Sequence, residues 1–403
     1  MVGAIGLIYL LFAVNLLVLG GFKKRLRWFD KGLMNSLYWY HVLFAVVYYI
    51  YVQSSASDSV AYYERTSTLY SSWWEIYTHG TKFIDFVAYP FVNYLGFTYE
   101  MMMVLFSYLG YLGFVCFYVV FTENIKSRLV FANMSLITLI LFLPNMHYWT
   151  ASLGKGSIIF FGLGLTIYAL SNVKHRVFSL LLGLAVVYHV RPHVFFLLAI
   201  GITVGMLTGR QKIPAFYKIA IVLASAVSVV LLYDEIMAFA GIDTEDMFGS
   251  FEELTAHRSF ELAKSGSGLD ISGYPLILKL FTFWFRPLFF DAPGPIGLIV
   301  SVENLFYIIL LFRVLSFGFF KYLFTGSALV KINALILLAI SYALCGTLSN
   351  LGIIIRQKSM VMYFMIFLII SYMDYKKKGR PMRPVRARRP RIPFEPIKPA
   401  FNT

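Results

Sequence analysis

Charge is what this sequence has least of. Only 14% of its 403 residues are Asp, Glu, Lys or Arg, against about a quarter in soluble globular domains. So few ionic side chains exclude a water-facing globular fold of this size. Acidic residues are the scarcer sign, 20 against 35 Lys and Arg. The basic excess lies mostly in short clusters between apolar runs and in the C-terminal tail, a membrane-topology pattern, and no nucleic-acid partner is expected. Cysteine is nearly absent. Cys116 and Cys345 both fall in apolar runs and are spaced for neither a metal site nor a disulfide framework, so no metal site is assigned. No internal repeat is visible, and the paired halves common in transporters are missing with it.

What is present is hydrocarbon: 59% of residues are hydrophobic and 18% aromatic. Apolar runs occur at 5–19, 38–52, 101–121, 129–143, 158–170, 177–187, 194–207, 216–233, 296–312, 332–348 and 361–372. The expected fold class is therefore all-α: a polytopic integral membrane protein of about eleven transmembrane helices, several of them short. The first run lacks a basic leader and is followed by Lys23, Lys24, Arg25 and Arg27, which predicts a retained span with the N-terminus outside. That choice also puts Lys126, Arg128, Lys174, Arg176, Arg210, Lys212, Arg313 and Lys331 in the cytoplasm, as the positive-inside rule requires. Residues 274–290 read as an interfacial or re-entrant helix; as a full span they would put the basic tail outside. The membrane domain is then 1–375, with extracytoplasmic loops at 53–98 and 234–295 that carry interfacial helices. The Pro- and Arg-rich tail 376–403 lies in the cytoplasm against anionic lipid.

One stretch is polar where lipid should be. Residues 144–156, Pro-Asn-Met-His-Tyr-Trp-Thr-Ala-Ser-Leu-Gly-Lys-Gly, break one helix and loosen the next, so they must line a protein cavity or the interface. The topology brings other polar groups to the same, outer side. Asp58 starts the first long loop, either as a carboxylate facing a cavity or as a helix N-cap. Tyr62, Trp73 and Trp74 follow it. Arg191 lies in the short His189-Val190-Arg191-Pro192-His193 turn, where it meets a ligand or snorkels to lipid phosphate. Pro192 argues against His189 and His193 as paired metal ligands. The loop after residue 233 holds His257, Arg258 and Ser265-Gly266-Ser267-Gly268, which is no nucleotide signature. Arg286, Glu303 and Arg356 complete the outer set.

Taken in order, the Asp58–Tyr62 loop, Pro144 through Trp149 to Lys155, Arg191-Pro192, Phe285-Arg286-Pro287 with Glu303, and Asn350 through Gly352 to Arg356 resemble bacterial membrane proteins of surface-polysaccharide assembly. These are the Wzy- and EpsG-type repeat-unit polymerases and related GT-C glycosyltransferases. The likeness covers most of the chain in layout, through short motifs. Two features depart from it: GT-C enzymes commonly place the acidic loop after the first span, whereas Asp58 follows the second, and Gly156 stands where an acidic residue is expected after Lys155.

The resemblance implies a bacterial inner-membrane enzyme that takes a glycan from a polyprenyl-phosphate-linked saccharide on the outer face. Membrane lipids and other polysaccharide-assembly proteins would be its partners. On that reading Arg191, Arg286 and Arg356 hold the diphosphate, since the planar guanidinium grips two oxygens at once, and Lys155 assists. Asp58 is the general base, with His147 as the alternative base or hydrogen-bond donor. Tyr62, Trp149, His193, Arg258 and Glu303 supply further substrate contacts. No cofactor is assigned, and a divalent cation stays open. The competing class is a flippase or exporter that uses the same cations without breaking a bond.

Overall fold

A computed structural model describes residues 1–209, 214–240, 257, 268–271, 273–347 and 349–379. The expected Arg258 contact, the acidic loop around it and most of the basic tail lie outside the described residues. Helix dominates. In chain order the helices are α1 (Val2–Arg25), α2 (Lys31–Val52), α3 (Asp58–Thr68), α4 (Thr81–Tyr89), α5 (Tyr99–Asn124), α6 (Leu136–Leu141), α7 (Pro144–Thr150), α8 (Lys155–Ser171), α9 (Val173–Val190), α10 (Pro192–Thr208), α11 (Ala215–Ala240), α12 (Leu276–Phe285), α13 (Gly294–Val314), α14 (Phe317–Thr325), α15 (Ala328–Cys345), α16 (Leu351–Gln357) and α17 (Met362–Lys378). Among the described residues the extended structure in strands is a hairpin pairing Val130–Phe131 with Met134–Ser135.

Among the described residues five helices, α1, α5, α9, α13 and α15, are long and apolar enough to cross a membrane; a sixth span results if residues 351–360 and α17, bent by 56°, count as one. The sequence pattern predicts more, and the difference has a local cause. Residues 129–143 form no continuous helix: the hairpin and the six-residue α6 occupy them, and Pro144 then starts α7 afresh. Proline has no N–H to donate and crowds the preceding turn, so it opens helices well and continues them poorly. α8 and α10 have 17 residues each, about 26 Å at 1.5 Å per residue. α12 has ten and is far too short to cross.

Short polar side chains start several elements. Asp30 accepts from Leu33 N at 3.0 Å before α2, and Asn350 accepts from Ile353 N at 3.0 Å before α16. Each satisfies an N–H left without an intrahelical partner.

α5 runs through the core, and its apolar surface is buried nearly all round. Glycine lets the broken segment reach it. A Cβ on Gly110 would lie 2.0 Å from Thr150 O, and one on Gly156 would lie 2.4 Å from Trp149 O. The second distance explains why glycine follows Lys155: no carboxylate side chain fits there.

Charged side chains mark one end of the bundle. Arg176 pairs with Glu123 there, Asp374 accepts from Ser127 N at 2.6 Å, and Lys377 donates to Arg128 O at 2.8 Å. The cavity described next lies at the opposite end of α8, α9 and α17.

Candidate functional site

Between α3, the α7–α8 turn, Arg191 and the break between α16 and α17 lies a cavity of about 340 Å³. It is built from the outer-side residues. Asp58, Tyr62 and Arg65 come from α3, Trp149 from α7, Lys155 from the start of α8, Arg191 from the α9–α10 turn, and Arg356 from the last turn of α16.

Each is placed by local structure. Ser57, and not Asp58, caps α3, its hydroxyl accepting from Ser59 N at 3.2 Å. A hydroxyl chain from Tyr48 through Ser57 and Ser59 to Tyr99, with links of 3.0, 2.8 and 2.7 Å, pins that terminus. The Asp58 carboxylate is thereby left to face the cavity. Positions 58, 62 and 65 fall one helical turn apart and share a face. α7 is buried on nearly every side, and of its central residues only Trp149 remains partly accessible. Before Lys155, Gly154 takes φ 155° and ψ −171°, a region essentially reserved for glycine. This turns the backbone so that α8 begins at the cavity wall.

The charges do not balance. The lining holds four cations, Arg65, Lys155, Arg191 and Arg356, and one carboxylate, Asp58. Arg65 is committed outward to Asp85 through two bonds of 3.0 and 3.1 Å, and Tyr70 holds the same carboxylate at 2.7 Å. Arg356 pairs with Asp58 at 2.8 Å. Among the described residues neither Lys155 nor Arg191 has an ion-pair partner, and Arg191 Nε is buried without a hydrogen bond. Burial, and then Arg191, pushes the Lys155 amine down to about 8. Burial, and then Arg356, pushes Arg191 down to about 10. Burial, and then Asp58, pushes the Tyr62 hydroxyl up to about 12.

Two unmatched cations in a partly enclosed space can together hold a doubly charged anion. The Lys155 value sets a pH dependence: the amine is charged below about 8 and neutral above it. Affinity for sulfate, whose own charge is constant over the range, should therefore fall about tenfold as pH rises from 7 toward 9, below the range where Arg191 loses charge, since a charge-assisted hydrogen bond contributes about 1.5–3 kcal/mol. Titration calorimetry at successive pH values measures this, and Lys155→Met should flatten the profile.

Other expected contacts are not in the cavity. His147 is fully buried, stacked on Phe114 with ring centroids 4.0 Å apart. Its Nε2 donates to Leu141 O at 2.7 Å and its Nδ1 accepts from His41 Nδ1 at 2.8 Å, so neither nitrogen is available as a base. Arg286 is tied to Asp291 at 2.5 Å. Glu303 is buried, accepting from Asn145 N at 3.0 Å and from Tyr307 OH at 2.5 Å. His193, one residue past Pro192, does not line the cavity either. Arg65, which the topology places on the same outer side, also lines it, as do Ser59, Ser152, Gln357 and Ser359, to which the sequence assigns no role in the site. Among the described residues no three His, Cys, Asp or Glu side chains gather around a metal position.

The chain matches no family model, no curated protein and no solved structure.

Proposed function

We propose that this is a membrane glycosyltransferase that moves a glycan from a polyprenyl diphosphate carrier to an acceptor hydroxyl, and that the cavity is its active site. The observation that carries this reading is the charge imbalance: Lys155 and Arg191 unmatched, with Arg356 held by the lone lining carboxylate, Asp58. A diphosphate supplies two or more negative charges, and its position at the end of an apolar bundle suits a ligand with a lipid tail. The apolar helices then span a bacterial inner membrane, about eleven times if the short and broken ones are counted. The N-terminus and the cavity lie outside, and the basic tail lies inside.

In the reaction Asp58 takes the proton from the acceptor hydroxyl, whose oxygen attacks the anomeric carbon. The bond from that carbon to the phosphate oxygen breaks, and the diphosphate leaves with both electrons. Arg191, Arg356 and Lys155 stabilise the charge that develops on it. Tyr62 and Trp149 offer flat faces to the sugar.

Radiolabelled lipid-linked oligosaccharide incubated with the purified protein tests the proposal. A lengthened or transferred glycan with release of polyprenyl diphosphate is the expected product. Movement of the intact lipid across a vesicle membrane, with no new glycan, would make the protein a flippase instead.

A further inference from the structure

Directly behind the Arg356 wall lies a buried polar cluster that the chemistry above does not use. Lys358 is fully buried. Its amine donates to Asn304 Oδ1 at 2.8 Å, Arg286 O at 2.9 Å and Trp284 O at 3.3 Å. All three acceptors lie outside the broken helix that carries Lys358. Asn304 is fixed in turn, donating from Nδ2 to Pro287 O at 2.7 Å. One residue earlier on α13, Glu303 accepts from Asn145 N at the start of α7, and Asn145 Nδ2 reaches Ile355 O at 3.5 Å. A single turn of α13 therefore holds two walls of the cavity, α7 with Trp149 and the broken helix with Arg356.

A buried ammonium is costly, and an apolar side chain of similar length would generally serve stability as well. The bend of 56° between residues 351–360 and α17 gives the cation a use. Where the helical ladder is interrupted, continuity with α17 no longer sets the direction of α16, so an outside tether must do so. Lys358 is that tether, two residues from Arg356.

We propose that Lys358, seated on Asn304, is a positioning residue that aims Arg356 into the cavity, an inference that rests on reading the cavity as a diphosphate site. The test is titration of detergent-solubilised full-length protein with inorganic pyrophosphate. Lys358→Met should weaken binding several-fold, and by no more than Arg356→Ala does, because it acts only through that side chain. Asn304→Ala, which leaves both Lys358 and Glu303 in place, should act in the same direction, and it decides the matter if Lys358→Met does not fold by thermal melt.

The discriminating measurement is made in the Arg356→Ala background, where a residue acting only through Arg356 has nothing left to position. There Lys358→Met or Asn304→Ala should cost no further affinity. Unchanged affinity in folded single variants, or the same loss in both backgrounds, overturns the positioning role. If the parent protein itself takes up no pyrophosphate, the diphosphate reading fails and the positioning role falls with it.

Discussion

Arg191→Ala is expected to weaken pyrophosphate binding by about 2–5 kcal/mol, roughly thirty-fold at the low end. Arg191 carries the larger share because it is the more enclosed cation, its Nε is buried without a bond, and no described carboxylate neutralises it. Arg356 has a side chain 41% exposed and already pairs with Asp58, so Arg356→Ala should cost less after solvent screening is allowed for. Lysine at either position keeps the charge but loses the two-pronged fork, and partial binding should result. Both arginines line one cavity, so the double alanine variant should lose less than the sum of the singles. Calorimetry of the four proteins measures this. Clean additivity, with each variant folded, would mean that the two groups do not share a ligand.

Asp58→Asn has the second large effect, and it separates binding from chemistry. The amide keeps the shape of the carboxylate but cannot take a proton, so transfer should fall about 10²–10⁴-fold, the usual contribution of a general base. Pyrophosphate affinity should instead hold or rise, because Arg356 loses its internal competitor at 2.8 Å. Glycan transfer and pyrophosphate binding measured on the same preparation give both numbers. If the variant transfers glycan at the parental rate, Asp58 serves only to hold Arg356. His147 is no substitute, with both ring nitrogens engaged in the core.

The long apolar helices and the break at residues 144–156 were legible in the sequence because both follow from where polarity interrupts apolar runs. The convergence of Asp58, Lys155, Arg191 and Arg356 was legible because span parity brings them to one end, whatever the exact packing. The number of spans was less so. Hydropathy does not register that residues 129–143 divide into a hairpin and a single short helix. The facing of α7 was also hidden: seven residues give too little periodicity to tell the His147 side from the Trp149 side, and packing against α5 decides it. Arg286 looked like a ligand cation because Asp291 gives no sign in sequence of folding back onto it. Glu303 and Lys358 lie far apart in the chain, and only the tertiary fold shows that they brace the walls from behind.

The most direct measurement is an experimental structure of the protein with a short-chain polyprenyl diphosphate sugar bound. The account predicts both phosphates in the cavity within hydrogen-bond reach of Arg191, Arg356 and Lys155, with the Asp58–Arg356 pair opened and Asp58 turned toward the sugar. Density for the diphosphate elsewhere on the bundle, with that pair still closed, would contradict it.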